Sequence, residues 1–215
     1  ADPSINAKWL EYFNQENTRA ILVNSLKGNG LKDVLSASKQ LMKEKLDRLK
    51  SKGLLVKTTR ALIIGIPNVG KSTFINRIAG RSAAQTGDRP GVTKSKQWIK
   101  VSNELELLDT PGILWPKFED KRAGMYLAFT GAIKDEILDV NELAQNLLQV
   151  LAEKFPEKLK NRYKLEDIPE GIASEELLER IGRKRGCIIA GGEVDLLRAS
   201  TMLLDEFRGG KIGAI

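Results

Sequence analysis

Thr59-Arg60-Ala61-Leu62-Ile63-Ile64-Gly65 runs directly into Ile66-Pro67-Asn68-Val69-Gly70-Lys71-Ser72, and this stretch decides the fold. The first part is apolar and rich in β-branched residues, as a buried strand is. The second part has glycine at 65 and 70 followed by Lys71 and Ser72, the spacing of a phosphate-binding loop. Lys71 to Ala79 then reads as a helix closed by Gly80. In such a strand–loop–helix unit the glycines let backbone N–H groups close around phosphate oxygens. The helix N-terminus adds its partial positive charge. Lys71 supplies a point charge to the terminal phosphates, and the Ser72 hydroxyl can ligate Mg²⁺. The nucleotide-contacting positions are therefore Asn68, Val69, Gly70, Lys71, Ser72 and Thr73.

A phosphate loop of this kind needs an acidic partner for the metal at the end of a neighbouring strand. Gln97 to Val101 and Glu104 to Asp109 read as paired strands across Ser102-Asn103. The second delivers Asp109-Thr110-Pro111-Gly112 to the phosphate edge. Asp109 would hold Mg²⁺ through water, and the Gly112 N–H would face a γ-phosphate. Between the two motifs, residues 86–94 are rich in glycine and polar residues, as a mobile loop is. Thr93 is the chosen switch threonine, its hydroxyl meeting Mg²⁺ in the triphosphate state, with Thr86 as the competitor.

The rest of the chain fits an α/β sheet followed by helices. Upstream, Ile5 to Asn14 reads as a helix capped by Ser4, Arg19 to Val23 as a short strand, and Leu31 to Ser51 as a helix ended by Gly53. After about Thr130 only helices are expected: Val140 to Lys154, stopped by Pro156, then Ser174 to Arg185 and Asp195 to Phe207. This gives an α/β domain over 1–130 and a small all-helical domain over 131–215.

Charge divides the same way. Residues 1–130 carry 22 basic against 12 acidic side chains, while 131–215 carry 13 against 16, so the surplus of a chain with pI about 9.4 lies in the first part. It is densest from Lys39 to Arg60. A field of that sign attracts phosphate polymers, although a solvated helix face has the same composition. The second part keeps local basic knots at Lys158, Lys160, Arg162 and Lys164, and at Arg180, Arg183, Lys184 and Arg185. The single cysteine, Cys187, excludes an internal disulfide, and its expected role is that of a small buried hydrophobe. With no secretory signal and no apolar run long enough for a membrane span, the expected setting is cytoplasmic. The absence of histidine excludes from this chain a histidine general base, a Ser-His-Asp triad and a histidine metal site.

The three motifs in this order resemble the translation-factor-related P-loop GTPases. In that class a base-recognition Asn-Lys-x-Asp follows downstream, and none is complete in this chain. Instead, Val23-Asn24-Ser25-Leu26-Lys27-Gly28-Asn29-Gly30-Leu31 resembles the Ser-Ala-x-x-Gly-x-Gly-Leu segment that follows the base motif, and it lies upstream of the phosphate loop. Asp2, after Ala1, stands where the last residue of Asn-Lys-Ala-Asp would stand, so the chain is expected to be a fragment that begins inside the base motif and lacks the family's first strand; the alternative is that Ala-Asp-Pro is a cloning remnant. The order is that of circularly permuted GTPases. Within them the chain resembles the ribosome biogenesis GTPase A (YlqF) family, through residues 60–80, 86–101, 104–120 and 130–135 and more weakly through the helical part.

The resemblance implies a GTPase, stimulated by ribosomal particles, that acts late in assembly of the large ribosomal subunit. It would be a free monomer that binds the subunit precursor and rRNA and no membrane. It implies Mg²⁺ at Ser72, Thr93 and Asp109, and guanine beside Asp2, Asn24 and Ser25. Asn68 accompanies activation by K⁺ in related GTPases, although an asparagine also suits a tight turn. Two departures matter. The Phe-Pro-Gly-His segment whose histidine is thought to assist hydrolysis is absent, and the position after Asp-Thr-Pro-Gly is Ile113, where many GTPases carry a water-orienting glutamine. The catalytic group is therefore unassigned, with Lys71 and Thr93 left as transition-state support. A second reading, an RNA-binding module with a structural, slowly hydrolysed nucleotide, stays open. So does an ATPase, since a phosphate loop does not choose the base.

Overall fold

A computed structural model describes residues 2–15, 18–54, 58–80, 82, 96–114 and 120–215. The chain divides into two compact units, Ala1–Leu114 and Trp115–Ile215. Among the described residues no helix is long and apolar enough to cross a membrane.

The first unit contains α1 (Pro3–Gln15), α2 (Leu31–Ser51), β1 (Thr59–Leu62), α3 (Lys71–Ala79), β2 (Gln97–Lys100) and β3 (Leu105–Asp109). The strands form one sheet in the order β1-β3-β2. β1 runs parallel to β3 in the register Thr59↔Leu105 to Leu62↔Leu108, and β2 is antiparallel to β3 in the register Gln97↔Asp109 to Lys100↔Glu106. The parallel pair brings the end of β1, which leads into the phosphate loop, level with the end of β3, which carries Asp109. Alternate residues of each strand face one side of the sheet. Ile99, Leu105 and Leu107 from that side pack with Ile75 of α3, joined by Ile63, Phe74, Ile78 and Leu35 of α2. The opposite side presents Leu62 and Trp98, both about half exposed.

Several boundaries depart from the sequence reading. β1 is shorter than expected: the ladder ends after the Ile63 N–H donates to the Leu108 carbonyl at 3.0 Å, and the chain turns off towards Gly65. Arg19 to Val23 is not a strand, because the sheet ends at β1 and offers these residues no ladder. The helix cap at the N-terminus is Asp2, not Ser4: its carboxylate accepts from the Ser4 N–H at 2.8 Å and the Ser4 hydroxyl at 2.5 Å. α2 runs as expected and starts after Gly30, which has a positive φ of 78°. A Cβ there would lie 2.1 Å from the Leu22 carbonyl oxygen, so only glycine fits.

The second unit contains α4 (Lys121–Phe129), α5 (Val140–Lys154), α6 (Pro156–Tyr163), α7 (Ser174–Lys184) and α8 (Leu196–Arg208), with a 3₁₀ turn at Asp135–Ile137. Leu143, Leu147, Leu148 and Leu151, the expected apolar face of α5, are all buried against Leu177, Leu178 and Ile181 of α7 and Leu203 and Leu204 of α8. Cys187 is buried in the same core. The division falls earlier than the expected 130/131, because Ala128 and Phe129 of α4 belong to this helical core. Within this unit Arg208 ties α4 to α8: it donates to the Ala128 and Phe129 carbonyls at 3.0 and 3.1 Å and forks onto Asp135 at 2.7 and 2.8 Å.

Aspartates cap three of these helices: Asp120 accepts from Arg122 N–H, Asp139 from Asn141 and Glu142 N–H, and Asp195 from Arg198 N–H. Ser174 is not the cap of α7; Ala173 stands there and makes no side-chain cap. Pro156 does stop α5, and it also opens α6, where its fixed φ and missing N–H cost nothing. The basic knot expected around Lys158 to Lys164 is therefore mostly helical.

Candidate nucleotide site

The site is built where β1 and β3 end. After β1 the chain turns through Pro67 and Asn68 into α3. Asn68 has a positive φ of 57°, which asparagine tolerates better than most side chains. Gly70 follows at φ 90° and caps α3 with no side-chain bond, leaving its first N–H groups to the loop. Lys71, Ser72 and Thr73 form the first turn of α3, all part-buried. Val69 is 55% exposed.

Lys71 folds back over the loop. Its ammonium donates to the Ile66 carbonyl at 2.8 Å and the Gly65 carbonyl at 3.1 Å. Burial pushes its pKa down, and the negative charge of Asp109 opposes that shift. The coupling places the cation and the carboxylate within electrostatic reach across the β1–β3 edge. Asp109 itself is buried at 2% exposure.

The strand end at Asp109 is latched to the phosphate loop by contacts that sequence reasoning missed. The Thr110 hydroxyl, buried, donates to the Ile63 carbonyl at 2.7 Å. The Ile113 N–H donates to the Gly65 carbonyl at 3.3 Å. Between them Gly112 lies so close to Pro67 that a Cβ would come within 2.6 Å of its backbone. Gly112 was chosen for its N–H, and its lack of a side chain is an equal requirement. The signal was present as a threonine and a glycine flanking a proline, but only the partner across the loop gives it meaning. Ile113 points outward at 68% exposure and offers no group that could orient water.

Of the remaining expected residues, Asp2 and Asn24 make local bonds of their own. Asp2 caps α1. Asn24 and Ser25 stand in a tight turn: the Asn24 side-chain oxygen accepts from Lys27 N–H at 2.9 Å, and the Asn24 carbonyl accepts from Gly28 N–H at 2.7 Å. Thr86 and Thr93 lie outside the described residues.

The donor set suits a hard cation. Ser72 on the first turn of α3 and the buried carboxylate of Asp109 offer oxygen ligands, the type Mg²⁺ takes together with phosphates and water. Bound there, the ion would neutralise phosphate charge.

Comparison with known proteins agrees with this geometry. The family model described as "50S ribosome-binding GTPase" matches residues 60–178, from β1 into α7. Ribosome biogenesis GTPase A of Bacillus pumilus is 50% identical over 215 residues, which is all of this chain and 76% of that protein. The protein of the same name from Thermotoga maritima is 31% identical over 217 residues, covering 100% of this chain and 71% of the relative. Among solved structures, GDP-bound YlqF aligns with a TM-score of 0.64 at 26% identity, covering 99% of this chain and 76% of that one. GNP-bound YlqF from T. maritima aligns at 0.59 and 28%, covering 99% and 74%. A phosphate loop latched to an Asp-Thr-Pro-Gly strand end, with relatives this similar along the whole chain, makes this protein a member of the ribosome biogenesis GTPase A (YlqF) family, with the P-loop GTPase fold.

Proposed function

We propose that the chain binds GTP and Mg²⁺, hydrolyses GTP when stimulated by ribosomal particles, and acts late in assembly of the large ribosomal subunit. The observation that carries the reading is the phosphate loop latched to the Asp109 strand end by Thr110, Gly112 and Ile113. GTP would hold Asp109, Gly112 and the Thr93 segment in one arrangement, and hydrolysis would release them. Lys71 would bind the terminal phosphates, with Ser72, Thr93 and Asp109 around the metal. K⁺ at Asn68 is part of the proposal. The motif order is that of a circularly permuted GTPase, with Asp2, Asn24 and Ser25 on the guanine side. For Asp2 this requires leaving the α1 cap that it forms in this structure. The first unit would serve the nucleotide and the second the rRNA, through Lys164, Arg183 and Lys184. The protein would act as a cytoplasmic monomer.

The test is a titration with fluorescent GDP in Mg²⁺, competed by GTP and by ATP. Competition by GTP alone is the expected result, and Lys71→Ala should abolish tight triphosphate binding while the circular dichroism spectrum stays unchanged. Unchanged affinity in that variant would sink the reading, and equal competition by ATP would assign an ATPase.

The exposed Ile113, with no histidine in the chain, favours a second reading: an RNA-binding module whose nucleotide is structural. It requires equal RNA affinity with GDP and with a non-hydrolysable GTP analogue. A gel-shift series with both ligands decides between the two.

A further inference from the structure

At the pole of the first unit opposite the nucleotide site lies a groove of about 1040 Å³ between α2 and the turn joining β2 to β3. The parallel strands β1 and β3 begin at this groove, with Thr59 and Leu105 in its wall, and end at the phosphate loop. Five residue steps separate Glu104, in the groove, from Asp109, so the two places are about 17 Å apart along the strand. The groove is no part of the nucleotide site.

Its long wall is a row of lysines. Lys32, Lys39, Lys43 and Lys50 recur on α2 at spacings of seven, four and seven, which keeps them on one face of the helix. At the helical rise the row is about 27 Å long, longer than any small-molecule anion. The floor is apolar, with Leu35 and Ile78, and hydroxyl and amide groups of Ser36, Ser102 and Asn103 stand along it. Two acids share the groove, Asp47 and Glu104. Glu104 bonds Lys39 at 2.8 Å with both side chains more than 70% exposed, and that bond with the Lys39 charge lowers its pKa. Such an exposed pair is easily exchanged for another anion. Among the described residues no aromatic side chain lines the groove, so these offer no platform on which unpaired bases could stack.

We propose that this groove is a second RNA-contact surface, fitted to the phosphate backbone of a double-stranded RNA segment. The choice of RNA rests on the ribosome-factor reading; the place and the chemistry rest on the groove. A long cation row with hydroxyl and amide partners suits phosphates and 2′-hydroxyls, the groups by which duplex RNA is recognised without reading sequence. Glu104 acts as a stand-in anion that the backbone displaces from Lys39.

The test measures fluorescence anisotropy of a short labelled RNA duplex with the full chain, without nucleotide, over a salt series. Lys39→Ala/Lys43→Ala/Lys50→Ala should weaken binding about tenfold or more at low salt and lower the slope of log affinity against log salt by about three. Glu104→Gln should tighten binding about two- to fivefold, the worth of an exposed ion pair. GDP titrations of the same proteins should be unchanged, which shows that the variants fold and separates this result from the fate of the nucleotide reading. Wild-type affinity and slope in the triple variant would overturn the proposal, as would no duplex binding by the wild type. Stronger loss of a labelled polyglutamate than of RNA would overturn it in favour of an acidic protein partner.

Discussion

The two units solve the problem of stability differently. Among the described residues, the helical unit buries a continuous core that draws on α4 to α8, while the α/β unit buries four hydrophobic side chains around α3 and the sheet. The α/β unit also leaves Leu62, Ile64, Val69 and Ile113 exposed on the segments that end β1 or form the site, and Trp9, Phe13, Leu22, Leu26, Leu41 and Trp98 exposed elsewhere. A unit proposed to open and close around a ligand would draw on its less stable part. The helical unit carries no such demand and is pinned by buried charge: the Glu206 carboxylate accepts from Arg162 at 2.5 and 2.9 Å and also from Arg185, which ties α6 and the end of α7 to α8. The difference teaches that the candidate site is carried by the thinly packed unit, while the helical unit holds a self-sufficient core.

The sharpest way to break the comparison is Leu148→Ala. Leu148 is fully buried in α5, and its truncation should cost about 2–5 kcal/mol of helical-unit stability. Chemical denaturation followed by circular dichroism would read the loss. Fluorescent GDP affinity below the transition should hardly change, and a parallel loss of nucleotide affinity would mean that the units are not separable.

Acid gives the next largest effect. Burial would raise the Glu206 pKa, but the hydrogen bonds from Arg162 and Arg185 outweigh it and bring it to about 2. A carboxyl whose folded pKa lies below its unfolded value stabilises fully above the unfolded value. That stability is then lost as pH falls from about 4.5 towards 2. The loss should be on the order of 2–3 kcal/mol. Glu206→Gln should be less stable at neutral pH and show a flatter decline over that window. The same steep decline in the variant would show that another group carries it.

Gly112→Ala sharpens the other side. The added Cβ must push Pro67 away, a strain of about 1–3 kcal/mol, and should weaken nucleotide binding about tenfold while leaving the helical unit's transition in place. Equal GDP affinity in this variant would remove the latch from the account of the site. The smallest effect should come from Asp195→Ala, which deletes the α8 cap at about 1 kcal/mol. Thermal denaturation should shift by a few degrees, and nucleotide titration should not.

Much of this was legible before any coordinates. The glycine spacing, Lys71 and the apolar strand before it can hardly be read as anything but a phosphate loop, because each residue type answers a separate requirement of backbone, charge and helix start. The leucine period of α5 announced the buried face that the structure contains. α4 was not legible, since its moderate apolar pattern becomes core only when Phe129 meets Phe207 of α8. The strand expected at Arg19 to Val23 failed for the opposite reason: its composition suits a strand, but a strand exists only with a neighbour to accept its hydrogen bonds.

The sequence by itself determined the phosphate loop, its acidic partner, the strand before the loop, the helix after it and the basic surplus on α2, because these depend on residue type and short spacing. Tertiary structure alone decided that Thr110 and Ile113 latch the two motifs, that Asp2 caps α1, that α4 belongs to the helical unit, and that the lysine row faces a groove. Each of these turns on a partner distant in the chain or on a competition between two uses of one side chain. Local patterning carries no information about which partner arrives.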